Sequence, residues 1–333
     1  MTKKQNFQAM GALLKAKFLA KGTPLLINWA ITYKCNNQCL YCKIAEQKVE
    51  ELETSQIIKL IDVLHKENSL MINFTGGEPL VHPDIDKILQ YTAEKGISII
   101  LNTNGILLSE KESLLDYVQT VKLSFDGPME IHDKLRGKGT FVKAIQAIET
   151  VEKSKAKLML CTVLSQYNLD SIEYILNATK KLDSLVFFQP ITPEILGSAQ
   201  PNPLLPEIAK YRKAIDNLLE LKRSKSLGKY IANSYTALKY LYDWPNVRKI
   251  NCAAGLLFAH ISADGYLMRC ARNAGPCRME KLDPKHDFRE SFEMLRKQKK
   301  VPCYCTGMLE FNSLLELNLE SSVNLLKKTE KIS

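Results

Sequence analysis

The apolar run "LLINWAIT" (25–32) leads directly into "TYKCNNQCLYCKI" (32–44). The first segment has the length and composition of a buried strand. The second places Cys35, Cys39 and Cys42 within eight residues, in a C-x3-C-x2-C spacing. A strand that ends in three thiols points its C-terminal end at a site. Three is one short of the four protein ligands that close a structural zinc or an ordinary iron–sulfur cube. Either a distant residue such as His65 or His82 completes a zinc site, or the fourth position is left to an exchangeable molecule, as an open catalytic zinc keeps a water.

Downstream, strand-like and helix-like runs alternate. "LMINFTGG" (70–77), "ISIILNTNG" (97–105), "TVKLSFDG" (120–127), "AKLMLCTVLS" (156–165) and "SLVFFQPI" (184–191) read as strands. Between them "TSQIIKLIDVLHKEN" (54–68), "PDIDKILQYTAEKG" (83–96), "SEKESLLDYV" (109–118), "TFVKAIQAIETVEKS" (140–154) and "LDSIEYILNATKKLD" (169–183) read as helices. Six β-α repeats require parallel strands with helical crossovers, since short connections join only antiparallel neighbours. The strands are near-continuously apolar, as when both faces are buried. An open doubly wound sheet and an incomplete β/α barrel both fit, and in both the site lies at the strand C-terminal ends.

The pattern changes at the Pro-rich "TPEILGSAQPNPLLPE" (192–207), and helical sequence follows over roughly 206–243. The expected divisions are an amphipathic N-terminal helix (1–24), a barrel (25–200), a helical linker (201–250), a small cysteine-bearing domain (251–310) and a C-terminal helix (311–333). Within the fourth, "AHISADGYLMRC" (259–270) reads as a hairpin turning at Asp264-Gly265.

With 333 residues, 45% hydrophobic and 25% charged, the composition is that of an ordinary globular chain. No run approaches the roughly 18 apolar residues of a membrane span. No signal peptide is evident, so the expected location is cytoplasmic. There nine cysteines call for metal rather than disulfides. The net charge of +10 comes from dispersed lysines without an aromatic-interleaved basic stripe, which argues against nucleic acid. "FQAMGALLKAKFLAKG" (7–22) has two readings: a peripheral contact with an anionic membrane, or a helix packing Phe7, Leu14 and Phe18 against the barrel.

The three-cysteine spacing, with Tyr41 before the third, resembles the radical S-adenosylmethionine (SAM) superfamily. "TGGEP" (75–79) matches that superfamily's second motif, and "LNTNG" (101–105), "LSFDG" (123–127) and "HDKLRGKGTF" (132–141) follow in order. The last two resemble the subgroup of anaerobic sulfatase-maturating enzymes, peptide-modifying enzymes and the molybdenum-cofactor cyclase. The resemblance, over about residues 25 to 310, implies an α/β partial (β/α)6 TIM-type barrel followed by a small cysteine-rich auxiliary-cluster domain. It implies a [4Fe-4S] cluster on Cys35, Cys39 and Cys42 whose open iron takes SAM. Gly76 and Gly77 would let backbone approach the methionyl group, and Glu78 would accept from its ammonium. Asn102 and Ser124 would meet the ribose or carboxylate, and Arg136 the carboxylate. Tyr41 and the strand end near Val163 would flank the adenine. Asp126 and Gln189 are the candidate catalytic residues, both at strand C-termini.

Cys252, Gly265 and Cys270 form a C-x12-G-x4-C pattern that resembles the opening of a SPASM/twitch auxiliary-cluster domain. Five cysteines lie between 252 and 305, too few for the two clusters of a full SPASM domain. The implied ligands of one second [4Fe-4S] cluster are Cys252, Cys270, Cys303 and Cys305, although Cys303-Tyr304-Cys305 departs from the usual closing C-x2-C. Cys277 is the competing ligand, a zinc staple is the alternative for the region, and Cys161 reads as a buried inert thiol.

The function implied is reductive cleavage of SAM to a 5′-deoxyadenosyl radical and hydrogen abstraction from a substrate C–H bond, in a small-molecule or lipid biosynthetic step. The alternatives are a peptide- or protein-modifying maturase and, in a different class, a non-catalytic iron–sulfur or zinc scaffold. The 24 residues before the first strand are too few for the winged-helix domain of many peptide-modifying relatives. The implied partners are an electron donor such as flavodoxin or ferredoxin and a small-molecule, lipid or peptide substrate.

Overall fold

A computed structural model describes residues 3–247, 251–270, 278–281, 287–297 and 303–315. Strands β1 (Leu26–Thr32), β2 (Met71–Gly76), β3 (Ser98–Thr103), β4 (Thr120–Ser124), β5 (Lys157–Leu164) and β6 (Leu185–Pro190) are parallel, and they lie in the spatial order 6-5-4-3-2-1. That order has no reversal. A doubly wound sheet would have a switch point, so every crossover runs the same way and the sheet is a partial barrel. Ahead of β1 lies helix α1 (Lys3–Phe18), and the crossovers contain α2 (Thr54–Lys66), α3 (Ile85–Glu94), α4 (Met129–Arg136), α5 (Thr140–Glu152) and α6 (Ile172–Lys181). The segment Leu108–Asp116, expected as an α-helix, is 3-10 helix with a break at Lys111.

Side-chain alternation sorts the strands into two faces. Ile27, Trp29, Ile31, Ile72, Phe74, Ile99, Leu101, Val121, Leu123, Val186 and Phe188 are all buried, with Trp29 stacked on Phe74. The intervening positions, Asn28, Asn73, Asn102, Lys122, Ser124, Cys161 and Gln189, occupy the opposite face and line the barrel lumen. The strands are therefore not uniformly apolar as expected: on the lumen face these polar groups are interspersed with Ile100, Met159, Val163 and Phe187. There Asn73 donates to Asn28 Oδ1 at 2.8 Å, while Asn73 Oδ1 and Asn102 Oδ1 are buried without partners.

The expected linker divides into α7 (Ile208–Arg223), a 3-10 turn and α8 (Tyr235–Leu241). The hairpin forms as β7 (Phe258–Ile261) and β8 (Tyr266–Met268), turning at Gly265 with φ 83°. β7 then pairs in parallel with β1, and β9 (Arg278–Lys281) pairs with β8, so the cysteine-bearing region continues the barrel sheet at its β1 edge. Helices α9 (Phe288–Met294) and α10 (Thr306–Leu315) complete the described elements. Cys277 and residues 316–333 of the expected C-terminal helix lie outside the described residues. Among the described residues no helix is long and apolar enough to cross a membrane.

Candidate active site

The cysteine loop leaves the C-terminal end of β1 and is held from two sides. Gly77 N donates to Thr32 O at 2.8 Å and Glu78 N to Lys34 O at 2.9 Å, so "TGGEP" extends the β1–β2 ladder into the approach to Cys35. A Cβ on Gly77 would stand 2.2 Å from Lys34 O, and one on Gly76 2.1 Å from Thr32 O. The glycines are required first for backbone-to-backbone contact with the cysteine loop. On the other side Leu196 N donates to Tyr41 O and Lys43 N to Leu196 O, which joins the loop after β6 to Tyr41–Lys43. Gly77→Ala is expected to cost about 1–3 kcal/mol by overpacking. Iron analysis should show loss from the Cys35/Cys39/Cys42 site with the second cysteine group still loaded.

The three thiols are half-buried. Burial raises the pKa of each, and with the Cys39 and Cys35 charges adding to burial that of Cys42 reaches about 11. Three mutually repelling thiolates in a desolvated loop suit a cationic cluster of metal far better than free thiols. Among the described residues no group of three or more His, Cys, Asp or Glu side chains is gathered around one ion. A cube offers each thiolate its own iron, so the sulfurs need not converge. The zinc alternative finds no support in His65, exposed on α2, or in His82, whose Nδ1 accepts from Asp84 N.

Glu78 is buried and accepts from Leu80 N, Thr103 Oγ1 and Asn104 N at 3.1, 2.8 and 2.7 Å. Asn104 continues outward to Asn36 Oδ1 at 2.9 Å and lies 4.0 Å from Cys35 Sγ. Glu78 thus ties the ends of β2 and β3 to the cysteine loop, and Oε2 accepts from one protein donor. Asn104 belongs to the quoted "LNTNG", but its contact with the cysteine loop is not legible in the sequence. Burial pushes the Glu78 carboxyl up to about 7 from 4.5 against the pull of these hydrogen bonds. The unfolded chain therefore loses this proton first. The group's stability contribution is full below pH 4.5 and is lost between about 4.5 and 7, on the order of 3 kcal/mol. Urea midpoints of the cluster-free wild type should fall through that window, relative to a flatter Glu78→Gln.

Three sequence-derived assignments are corrected by the geometry. Asp126 is fully buried: Oδ2 accepts from Arg136 Nε at 2.7 Å and Tyr41 Oη at 3.0 Å, and Oδ1 accepts from Val163 N at 2.8 Å. A carboxylate so committed holds structure and does not reach a substrate. Tyr41 is turned inward, with Arg136 above its ring, so it offers no open face to an adenine. Gln189 accepts from Thr306 N and Oγ1 at 3.0 and 2.8 Å and donates to Tyr304 O; it fastens the Cys303–Cys305 segment to β6. Two residues missed in the sequence support the Asp126 group. His132 Nδ1 accepts from Asp126 N, and Asn168 Nδ2 donates to Asp126 O.

Burial opposes the Arg136 charge, and the Asp126, Tyr41 and Cys39 charges, with the hydrogen bond to Asp126, together outweigh it. Arg136 Nη1 lies 4.0 Å from Cys39 Sγ, so its charge is shared with the cluster site. Asn102 Oδ1 is buried and unpartnered, and Asn102 and Ser124 both sit on the lumen face. Nearby is a cavity of about 540 Å³, lined by Ala30, Thr75, Gly76, His260 and the loop Thr192–Ala199.

The second cysteine group is brought together by tertiary contacts. Burial drives the Cys303 thiol well up, and Cys305, Cys270 and Cys252 charges add to the effect, so all four lie within electrostatic reach. Asn312 bridges them: Nδ2 lies 3.8 Å from Cys303 Sγ, and Oδ1 accepts from Ala253 N at 2.7 Å. Cys161, expected to be inert in a strand, faces the lumen within reach of the Cys305 and Lys122 charges.

A partial barrel with three thiols at its mouth and four more beside β1 and β6 is the frame of an iron–sulfur protein. Residues 29–179 match the Radical SAM superfamily. Mycofactocin maturase MftC of Mycolicibacterium smegmatis is 27% identical over 204 residues, 59% of this chain and 52% of the relative. An AdoMet-dependent heme synthase of Methanosarcina barkeri is 32% identical over 172 residues, 49% of each chain. The chain spans about half the length of these curated relatives. Streptococcus suis SuiB bound to S-adenosylmethionine matches with a TM-score of 0.67 at 15% identity, covering 88% of this chain and 72% of that one. The likeness in fold thus reaches beyond the 29–179 segment into the C-terminal cysteine region.

Proposed function

We propose that the chain cleaves S-adenosylmethionine reductively and uses the 5′-deoxyadenosyl radical to remove a hydrogen from a substrate C–H bond. The observation that carries this reading is the set of three half-buried cysteines, Cys35, Cys39 and Cys42, on a loop braced by "TGGEP". A cluster bound there supplies the electron that breaks the C5′–S bond of its SAM ligand. The chain's own residues supply placement. Glu78 Oε2 receives the ammonium, Asn102 and Ser124 receive ribose hydroxyls or the carboxylate, and Arg136 offsets thiolate charge at Cys39. The loop after β6 covers the cavity and limits water. Cys252, Cys270, Cys303 and Cys305 hold a second [4Fe-4S] cluster, which Gln189 and Asn312 keep fixed against the barrel.

The cavity suits a small biosynthetic intermediate or one side chain of a larger molecule. The maturase and heme synthase relatives represent the peptide and small-molecule versions of this substrate. The deciding experiment is anaerobic reconstitution, reduction with dithionite and measurement of 5′-deoxyadenosine formed from SAM. A protein loaded with roughly eight irons that forms none is a scaffold, and the enzymatic reading fails.

A further inference from the structure

Helix α1 presents two opposed apolar faces. Ala12 and Ala16 are buried, and with Ala9 and Leu13 they pack against Leu25, Leu26, Leu70 and Phe258. The other face is bare: Phe7 is 82% exposed, Met10 48%, Leu14 48% and Phe18 68%, and Leu19 just beyond is 62% exposed. At 3.6 residues per turn, Phe7, Met10, Leu14 and Phe18 fall within an arc of about 80°. Lys15 and Lys17 project on either side of that arc. Residues 3–22 contain no acidic side chain, and the whole chain carries +10. Of the two readings of this segment, the one that packed Phe7, Leu14 and Phe18 on the barrel is overturned. The alanines pack instead, because their small side chains let the helix backbone approach closely.

We propose that this face docks the chain, helix in plane, on an anionic lipid membrane. The apolar stripe enters the acyl boundary and the flanking lysines meet headgroup phosphates. A contiguous exposed apolar stripe marks a contact surface, and its basic flanks with no acid among them select a negatively charged one. The docking geometry also limits what the contact does. α1 lies beneath the N-terminal ends of β1, β2 and β7, and Gln5 bonds to Gly96 O and Ser98 Oγ at the start of β3. The cysteine loop is at the opposite ends of these strands, about 20 Å away. The mouth of the barrel therefore faces away from the bilayer: the helix anchors the protein and does not feed lipid into the site. This inference is independent of the proposed activity.

The test is co-sedimentation of the reconstituted full chain with sucrose-loaded vesicles. Vesicles of phosphatidylcholine with about one-third phosphatidylglycerol are compared with phosphatidylcholine alone. The wild type is expected to bind the mixed vesicles about tenfold or more tightly. Phe7→Ser with Phe18→Ser should lose about tenfold or more of that binding. Lys15→Glu with Lys17→Glu should weaken it by roughly fivefold per lysine. Phe7, Lys15 and Phe18 are exposed and Lys17 is half-buried, so thermal melts of the variants should stay close to the wild type. In addition, the emission of Phe18→Trp should shift to the blue with mixed vesicles. Failure of the wild type to bind them, or binding indifferent to the serine pair, overturns the proposal. So does a wild-type dimer, seen by light scattering, that the serine pair makes monomeric, since a second copy would then cover the face.

Discussion

Cys39→Ala is expected to reduce 5′-deoxyadenosine formation from SAM to background and to remove about half of the bound iron. The cofactor performs the difficult bond cleavage, so an enzyme that cannot hold it retains no partial route. Cys39 is the informative position of the three because Arg136 Nη1 lies beside its sulfur. The matched control is Cys303→Ala. It too should lose about half of the iron, one cube of two, yet continue to cleave SAM. Equal loss of 5′-deoxyadenosine in both variants would show that the two sites do not act separately. Full iron retention in Cys303→Ala would transfer that ligand position to Cys277.

The second large effect is on stability. Asp126→Ala should cost about 3–5 kcal/mol, because it leaves the buried Arg136 guanidinium without its carboxylate. Calorimetry should show a fall in Tm on the order of 10 °C. Tyr41→Phe removes one hydrogen bond from the same carboxylate and should cost about 1 kcal/mol. Replacing both charges, Asp126→Leu with Arg136→Leu, should recover a good part of the loss, since the penalty lies in the uncompensated charge. If Asp126→Ala melts with the wild type and loses only turnover, then Asp126 is a catalytic group and its structural assignment here is wrong.

Asp126 and Gln189 are held by partners that the local sequence does not show. Both stand at strand C-termini, where side chains point toward a barrel's site, and the sequence marks that position correctly. It does not reveal the other ends of their hydrogen bonds. Arg136 lies ten residues from Asp126, and Tyr41 lies 85 residues away; Tyr304 and Thr306 lie more than a hundred from Gln189. Such partners exist only once the chain has closed. The same holds for α1, where residue size pointed to Phe7, Leu14 and Phe18 as the packed face and close backbone approach selected Ala12 and Ala16.

By itself the sequence determined what is local. Strand and helix order follow from periodicity, the three-thiol loop from cysteine spacing, and the hairpin at Gly265 from its turn residues, because each depends on neighbours a few positions apart. Tertiary structure alone decided the rest: the polar groups on the lumen face, the joining of β7 to β1, the gathering of Cys252, Cys270, Cys303 and Cys305, and the bare face of α1. These depend on contacts between distant segments, and only the closed sheet brings those segments within bonding range.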